Sequence, residues 1–173
     1  MSKKNLNAYL KKVRSEYVKG DCDSLAVLIL NQMRWERFVA DCGVIDGNIK
    51  AGTDESMDLA VSGLLIQRKK VESELPGKYE SRAYRKLGKL EALISPWCAI
   101  KAEEIFVTVR DDLSKGTDDG LMAALVKLDH HWRRYFWFID EAERMLMVRI
   151  YDGLLADIEK RLIKCNEGVL IGR

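Results

Sequence analysis

The stretch from Leu121 to Leu162 constrains the fold more than any other part of the chain. Leu121, Leu125, Leu128, Trp132, Tyr135, Ile139, Ala142 and Leu146 recur at alternating steps of four and three, the spacing of one stripe along an α-helix. Asp129 and Arg133, Asp140 and Arg144, and Asp157 and Arg161 are each four apart with the acid first, the favourable order on a helix. At about 100° per residue, the consecutive Tyr135, Phe136, Trp137 and Phe138 point in four directions. This helix is therefore either surrounded by neighbours at its middle or buries a second face against a partner.

A straight helix from Asp118 to Lys164 would be roughly 70 Å long, against roughly 40 Å for the diameter of a compact chain of this size. A break is expected near Asp140, which suits a cap, or at Gly153; an unbroken helix would belong to an elongated or dimeric protein.

With 173 residues, 47% of them hydrophobic, the chain is long enough to bury a core as a single domain, 1–173, without disulfides or metal. A net charge of +2 gives no global pull towards nucleic acid or membrane, so any such case must rest on local patches. Cys22, Cys42, Cys98 and Cys165 form no Cys-x-x-Cys pair and read as free thiols in a reducing compartment. Lys3 and Lys4 lead into Asn5-Leu6-Asn7 and not into an apolar run, so no secretory signal is read. The longest strongly apolar run, Leu25 to Leu30, is far short of a membrane span. A cytoplasmic location is expected.

The expected fold is all-α, a bundle of about six helices with a long central C-terminal helix. A first amphipathic helix runs from after Ser2 to about Lys19, with Gly20 as its stop; Leu6, Tyr9, Leu10, Val13 and Tyr17 face one side and Lys4, Lys11, Lys12 and Lys19 the other. Asp21 or Asp23 caps a second helix, whose apolar Leu25 to Leu30 predicts first turns buried all round and whose end is read at Gly43. Asp46-Gly47 between short apolar flanks is a hairpin-turn signal, so residues 44–49 are read as a small β-hairpin or a plain loop through Gly52.

Thr53, followed by Asp54 and Glu55, caps a third helix that ends at Leu75-Pro76-Gly77. Tyr79 to Ile94 forms a fourth, closed by Ser95-Pro96, and the same pair opens a fifth from Pro96 to about Leu113. There the Cys98, Ala102, Ile105, Val109, Leu113 stripe outweighs the strand propensity of Ile105 to Val109.

Two constellations carry chemistry. Lys78, Arg82, Arg85, Lys86 and Lys89 fall within an arc of roughly 100°, away from Tyr79, Ala83, Leu87, Leu90 and Ile94, with Glu80 the only acid among them. Such a face is suited to a phosphate backbone, or is a solvated face paired with acids from elsewhere. His130, Arg133, Arg134, Trp137 and Arg144 lie opposite the apolar stripe, so Trp137 stands among cations; it either docks a base or a partner, or is buried beneath the first helix.

Adjacent His130 and His131 point about 100° apart and cannot share a metal as an i, i+4 pair would. Asp111, Asp112, Asp118 and Asp119 bracket a turn, where helix-end roles explain them more simply than a weak cation site. No phosphate loop, nucleophile elbow or cofactor motif appears, so neither metal, cofactor nor enzymatic activity is expected.

The leading expectation is a non-enzymatic nucleic-acid-binding protein, or a helical accessory subunit of a nucleoprotein complex. Lys78, Arg82, Arg85, Lys86 and Lys89 would contact the backbone of DNA or RNA, with Arg133, Arg134 and Trp137 as a second contact. Charge reversal at Arg82 and Lys86 together is expected to abolish binding. The alternative is a protein-interaction or homo-oligomerisation module, a homodimer for instance, working through the aromatic C-terminal helix.

Overall fold

The computed structural model describes the backbone of residues 3–18 and 22–171, with side chains described over 8–15, 23–130 and 132–163. Gly20 as a stop, Asp21 as a cap, Lys4 and Lys19 on the lysine face, the Cys22 and Cys165 thiols and the His131 ring lie outside those residues. Six helices and, among the described residues, no strand make up an all-α bundle: α1 Lys3–Val18, α2 Cys22–Ala51, α3 Asp54–Ser73, α4 Gly77–Ser114, α5 Asp118–Phe136 and α6 Glu141–Ile171.

From α2 onward, consecutive helices run antiparallel, as cross-links at opposite ends show. Asp41 accepts hydrogen bonds from Gln67 and Lys70, whereas the earlier Arg34 donates to the later Glu74 carbonyl. The Arg68–Glu91 and Asp54–Lys101 pairs order α3 against α4 in the same way. The longest helix, α4, packs against α2, α3, α5 and α6, while α1 packs on α2. Leu64, Leu87, Ile94, Leu128, Ile139 and Ile158 are fully buried between them. Lys115 and Lys127, beside Asp112 at the α4–α5 turn, hold its carboxyl below the usual range. The ionised form is thus favoured by folding, and this contribution is lost only as acid protonates the group.

Residues 44–49 are neither hairpin nor loop: they lie within α2, which continues to Ala51. Phe38, Cys42 and Ile45 recur at helical spacing and are all buried, and Asp46 pairs with Lys50 one turn on at 2.6 Å. Helical burial outweighs the local Asp-Gly turn signal. Ile45 seats against Gly63 of α3, where a Cβ would sit only 2.8 Å from its side chain. The helix stops instead at Gly52, whose φ of 68° suits a residue without a side chain.

Likewise Ser95-Pro96 does not divide two helices. α4 passes through Pro96 unbroken. Losing one backbone hydrogen bond and accommodating the ring costs about 3 kcal/mol. Pro96 and Ala92, whose carbonyl loses its donor, both face outward to water, while Ile94, Cys98 and Ala102 on the other side are fully buried. Continuity of that buried stripe decides the outcome. Phe106 and Val109, within the strand-like run, join it.

The expected break near Asp140 is present: α5 ends at Phe136, and Asp140 Oδ1 accepts the backbone N–H of Ala142 at 2.9 Å, opening α6. Gly153 lies inside α6. Leu121, Leu128, Trp132, Tyr135 and Ile139 are buried as their spacing requires. Leu146 is exposed because α6 starts with a new rotation and buries Met147, Leu154 and Ile158 instead.

The first turns of α2 also differ from expectation. Of Leu25 to Leu30 only Leu28 is buried, and Val27 and Leu30 are more than half exposed, Val27 at the rim of an open cleft shared with Lys12 of α1 and Lys78 of α4.

Thr53 makes the expected cap as part of a reciprocal pair: its Oγ1 accepts from Ser56 N at 3.2 Å, and Ser56 Oγ accepts from Thr53 N at 3.0 Å. Thr53→Ala is expected to cost about 1 kcal/mol and lower the melting temperature by roughly 2–4 °C, measured by circular dichroism. An unchanged melting temperature would show that water replaces the cap at no cost.

Candidate functional site

The first four turns of α4 are fixed from below by Ala83, Leu87 and Leu90, all buried. That anchoring turns Lys78, Arg82, Arg85 and Lys89 outward into solvent and leaves Lys86 half-buried at the edge. The face is as the helical spacing predicts. Among the described residues none of these five cations forms an ion pair. Other lysines and arginines of the chain do, as Arg68 with Glu91 and Lys101 with Asp54 and Glu104.

Beneath the face lies a set of rings that the sequence did not bring together. Trp35 of α2 stacks on Tyr79 of α4 at 5.1 Å with planes 10° apart, and on Phe38 at 5.5 Å and 26°. The Arg82 guanidinium lies 5.0 Å from the Trp35 ring centre and the Lys78 ammonium 4.7 Å from that of Tyr79. Tyr79 donates its hydroxyl hydrogen to Gln32 Oε1 at 3.3 Å, and Gln32 Nε2 donates to Glu36 at 2.8 Å. The rings hold the arginine and lysine stems out along the surface while leaving the charges in water.

Beside them opens a cleft of about 780 Å³ between α1, α2 and the start of α4. Lys12 lines it together with Lys78 and Arg82, and Glu36 is the one acid in its described lining. Lys12, Trp35 and Tyr79 are thus the residues that sequence reasoning left out of the site. Only the lysine face of α1 hinted at the first, and nothing local hinted at the pairing of Trp35 with Tyr79.

The second constellation is taken apart by the fold. Arg134 Nη2 lies 2.7 Å from Asp58 Oδ2 and 2.7 Å from Ser62 Oγ, and Tyr135 donates to Asp58 Oδ1 at 2.8 Å. Arg134 therefore fastens α5 to α3. Burial, with the hydrogen bond to Asp58, pushes the Tyr135 phenol up to about 12. Arg133 pairs with Asp129 at 2.7 Å, and Arg144 donates to the Ile139 carbonyl at 3.2 Å. Trp137 is not beneath α1: it stands 55% exposed at the end of α5, edge-on to Phe136.

The two patches are also apart. Tyr135 packs edge-on against Trp97, which lies roughly 16 Å along α4 beyond Lys86.

Cys42 and Cys98 are buried free thiols, as expected, and burial raises them to about 11 and about 12, so neither is a reactive thiolate. Among the described residues no cluster of histidine, cysteine or carboxylate side chains is arranged to hold a metal ion, and no helix is long and apolar enough to cross a membrane. No protein-family model, curated protein or solved structure matches this chain.

Proposed function

We propose that this protein is a non-enzymatic nucleic-acid-binding protein, or a helical accessory subunit of a nucleoprotein complex, that grips a phosphate backbone along the start of α4. The observation that carries this reading is the absence, among the described residues, of any carboxylate paired with Lys78, Arg82, Arg85, Lys86 or Lys89. Among the described residues other cations also stand without an ion pair, Arg37 and Arg110 for instance, but these five share one face of one helix. Five left unneutralised on one face concentrate positive potential over about 16 Å of helix, the length of several nucleotides of one strand. Lys12 adds to that potential from α1. Trp35 and Tyr79 already use their ring faces on each other and on the cations, so backbone charge, with no sequence readout, is the mode of contact. Arg134 is committed to Asp58, which leaves Arg133 and Trp137 as the surface groups of the second patch.

Fluorescence anisotropy with labelled single-stranded and duplex DNA and RNA, over a range of salt concentrations, tests this. The logarithm of the binding constant is expected to fall linearly with the logarithm of salt, with a slope of about −3 to −4.5 for four or five neutralised phosphates, steeper on duplex than on single strands. No binding at low salt, or an affinity indifferent to salt, would sink the reading. A protein-interaction role is the second reading, favoured by Trp137, Met145 and Leu146, whose apolar side chains stand 55%, 62% and 62% exposed.

A further inference from the structure

The first half of α2 carries an apolar surface that stands open among the described residues. Val27, Ile29, Leu30 and Met33 are 56%, 39%, 52% and 60% exposed. Isolated exposed apolar residues are ordinary, but neighbours on successive turns form a patch of the kind that marks an interface.

Its charged ends identify the occupant. Asp23, Val27, Leu30, Arg34 and Arg37 follow one another at steps of four and three, so they form one stripe. The stripe has a carboxylate at one end, a guanidinium at the other and Leu30 midway, since Asp23 and Arg37 each lie seven residues from it. Asp23 and Arg37 are both exposed, and among the described residues neither forms an ion pair. We propose that a second copy of this chain packs on this stripe, antiparallel and across a two-fold axis at Leu30.

In that arrangement Leu30 meets Leu30, Val27 meets Met33 of the second copy, and Asp23 meets Arg37 at both ends. Such pairing of a surface with itself is the requirement of an isologous dimer. A parallel pairing would set Asp23 on Asp23 and Arg37 on Arg37, so charge selects the antiparallel one. The ends lie roughly 10 Å from the axis, and at a shallow crossing of about 20° the helices stay close enough for arginine to reach aspartate. Leu30 and Met33 also border a cleft of about 350 Å³ between α2 and α3, floored by Phe38 and Leu75, which offers room for an apolar side chain of the second copy. Asp23 and Val27 share a cleft with Lys12 and Lys78, so this end of the stripe adjoins the phosphate-binding face, but self-association is measured without nucleic acid and either idea can fail while the other stands.

Sedimentation equilibrium of the full chain between about 1 and 300 μM tests the proposal, with circular dichroism melting as a check on folding. A reversible monomer–dimer equilibrium is expected. Leu30→Glu places two carboxylates on the axis and weakens association about a hundredfold, with melting retained because the site is exposed. Asp23→Arg and Arg37→Asp each weaken it about tenfold, and the double variant D23R/R37D restores it to within about threefold of the native chain. That rescue also separates lost pairing from any loss of helix stability caused by removing an acid from the first turn of α2. A chain that is monomeric throughout overturns the proposal, as does a dimer that Leu30→Glu leaves intact or a double variant no better than the singles. In the first case the stripe belongs to another protein; in the second the dimer uses another face.

Discussion

Trp132→Ala is expected to lower the unfolding free energy by about 4 kcal/mol, whereas Trp137→Ala, five residues on, changes it by less than about 0.5 kcal/mol. Trp132 is only 4% exposed and touches three rings on three helices: Phe106 of α4 at 5.0 Å, Phe136 of α5 at 5.1 Å and Tyr151 of α6 at 5.5 Å. Truncation removes the burial of a large side chain and leaves a cavity whose walls belong to α4, α5 and α6, so no single shift can close it. Losses of aromatic pairing overlap with that burial and are not added to it. Trp137 is 55% exposed and lies outside this junction. Urea unfolding followed by circular dichroism measures both variants; similar losses for the two would contradict the division of the aromatic run into a buried hub and a surface group.

The buried hub at Trp132 was legible from the sequence, because a helix fixes the relative directions of its side chains, whereas the exposure of Trp137 was only one of two open readings. The same reasoning placed the stripe of α5, the cap at Thr53, a break at Asp140 as one of two candidates, and the outward face of Lys78, Arg82, Arg85 and Lys89 on α4, with Lys86 at its edge. It failed where a local signal competed with burial from a distant segment. Asp46-Gly47 reads as a turn until Ile45 is seen seated against Gly63, and Ser95-Pro96 reads as a boundary until Ile94 and Cys98 are seen buried on the same stripe.

The site was split for the same reason. Nothing near Arg134 in sequence announces Asp58, which lies 76 residues away, yet that contact converts a candidate binding arginine into a structural one. Conversely, Leu25 to Leu30 carries no mark of a missing neighbour. Only the packing of α1 and α2 shows which side of the run is left bare.

Reversing Arg85 and Lys89 to glutamate should cost roughly a hundredfold or more in nucleic-acid affinity at moderate salt and reduce the salt slope by about two. Each substitution removes one phosphate contact and adds a repulsion where that contact stood. These two positions separate binding from folding better than Arg82 and Lys86 do. Arg82 rests on Trp35 and Lys86 is half-buried, so reversing them also disturbs the α2–α4 packing. Arg85 and Lys89 are exposed, with no ring or carboxylate contact among the described residues, and their reversal should leave the urea midpoint nearly unchanged.

Reversal of Arg110 and Arg149, exposed on α4 and α6, alters the net charge equally and provides the control. If the backbone follows the start of α4, the control pair loses only the small long-range share of affinity, which salt screens over about 10 Å. Equal losses from the two pairs would instead mean that total charge, and not this face, attracts the nucleic acid. An unaltered affinity in the Arg85 and Lys89 variant would remove the α4 face from the interface altogether.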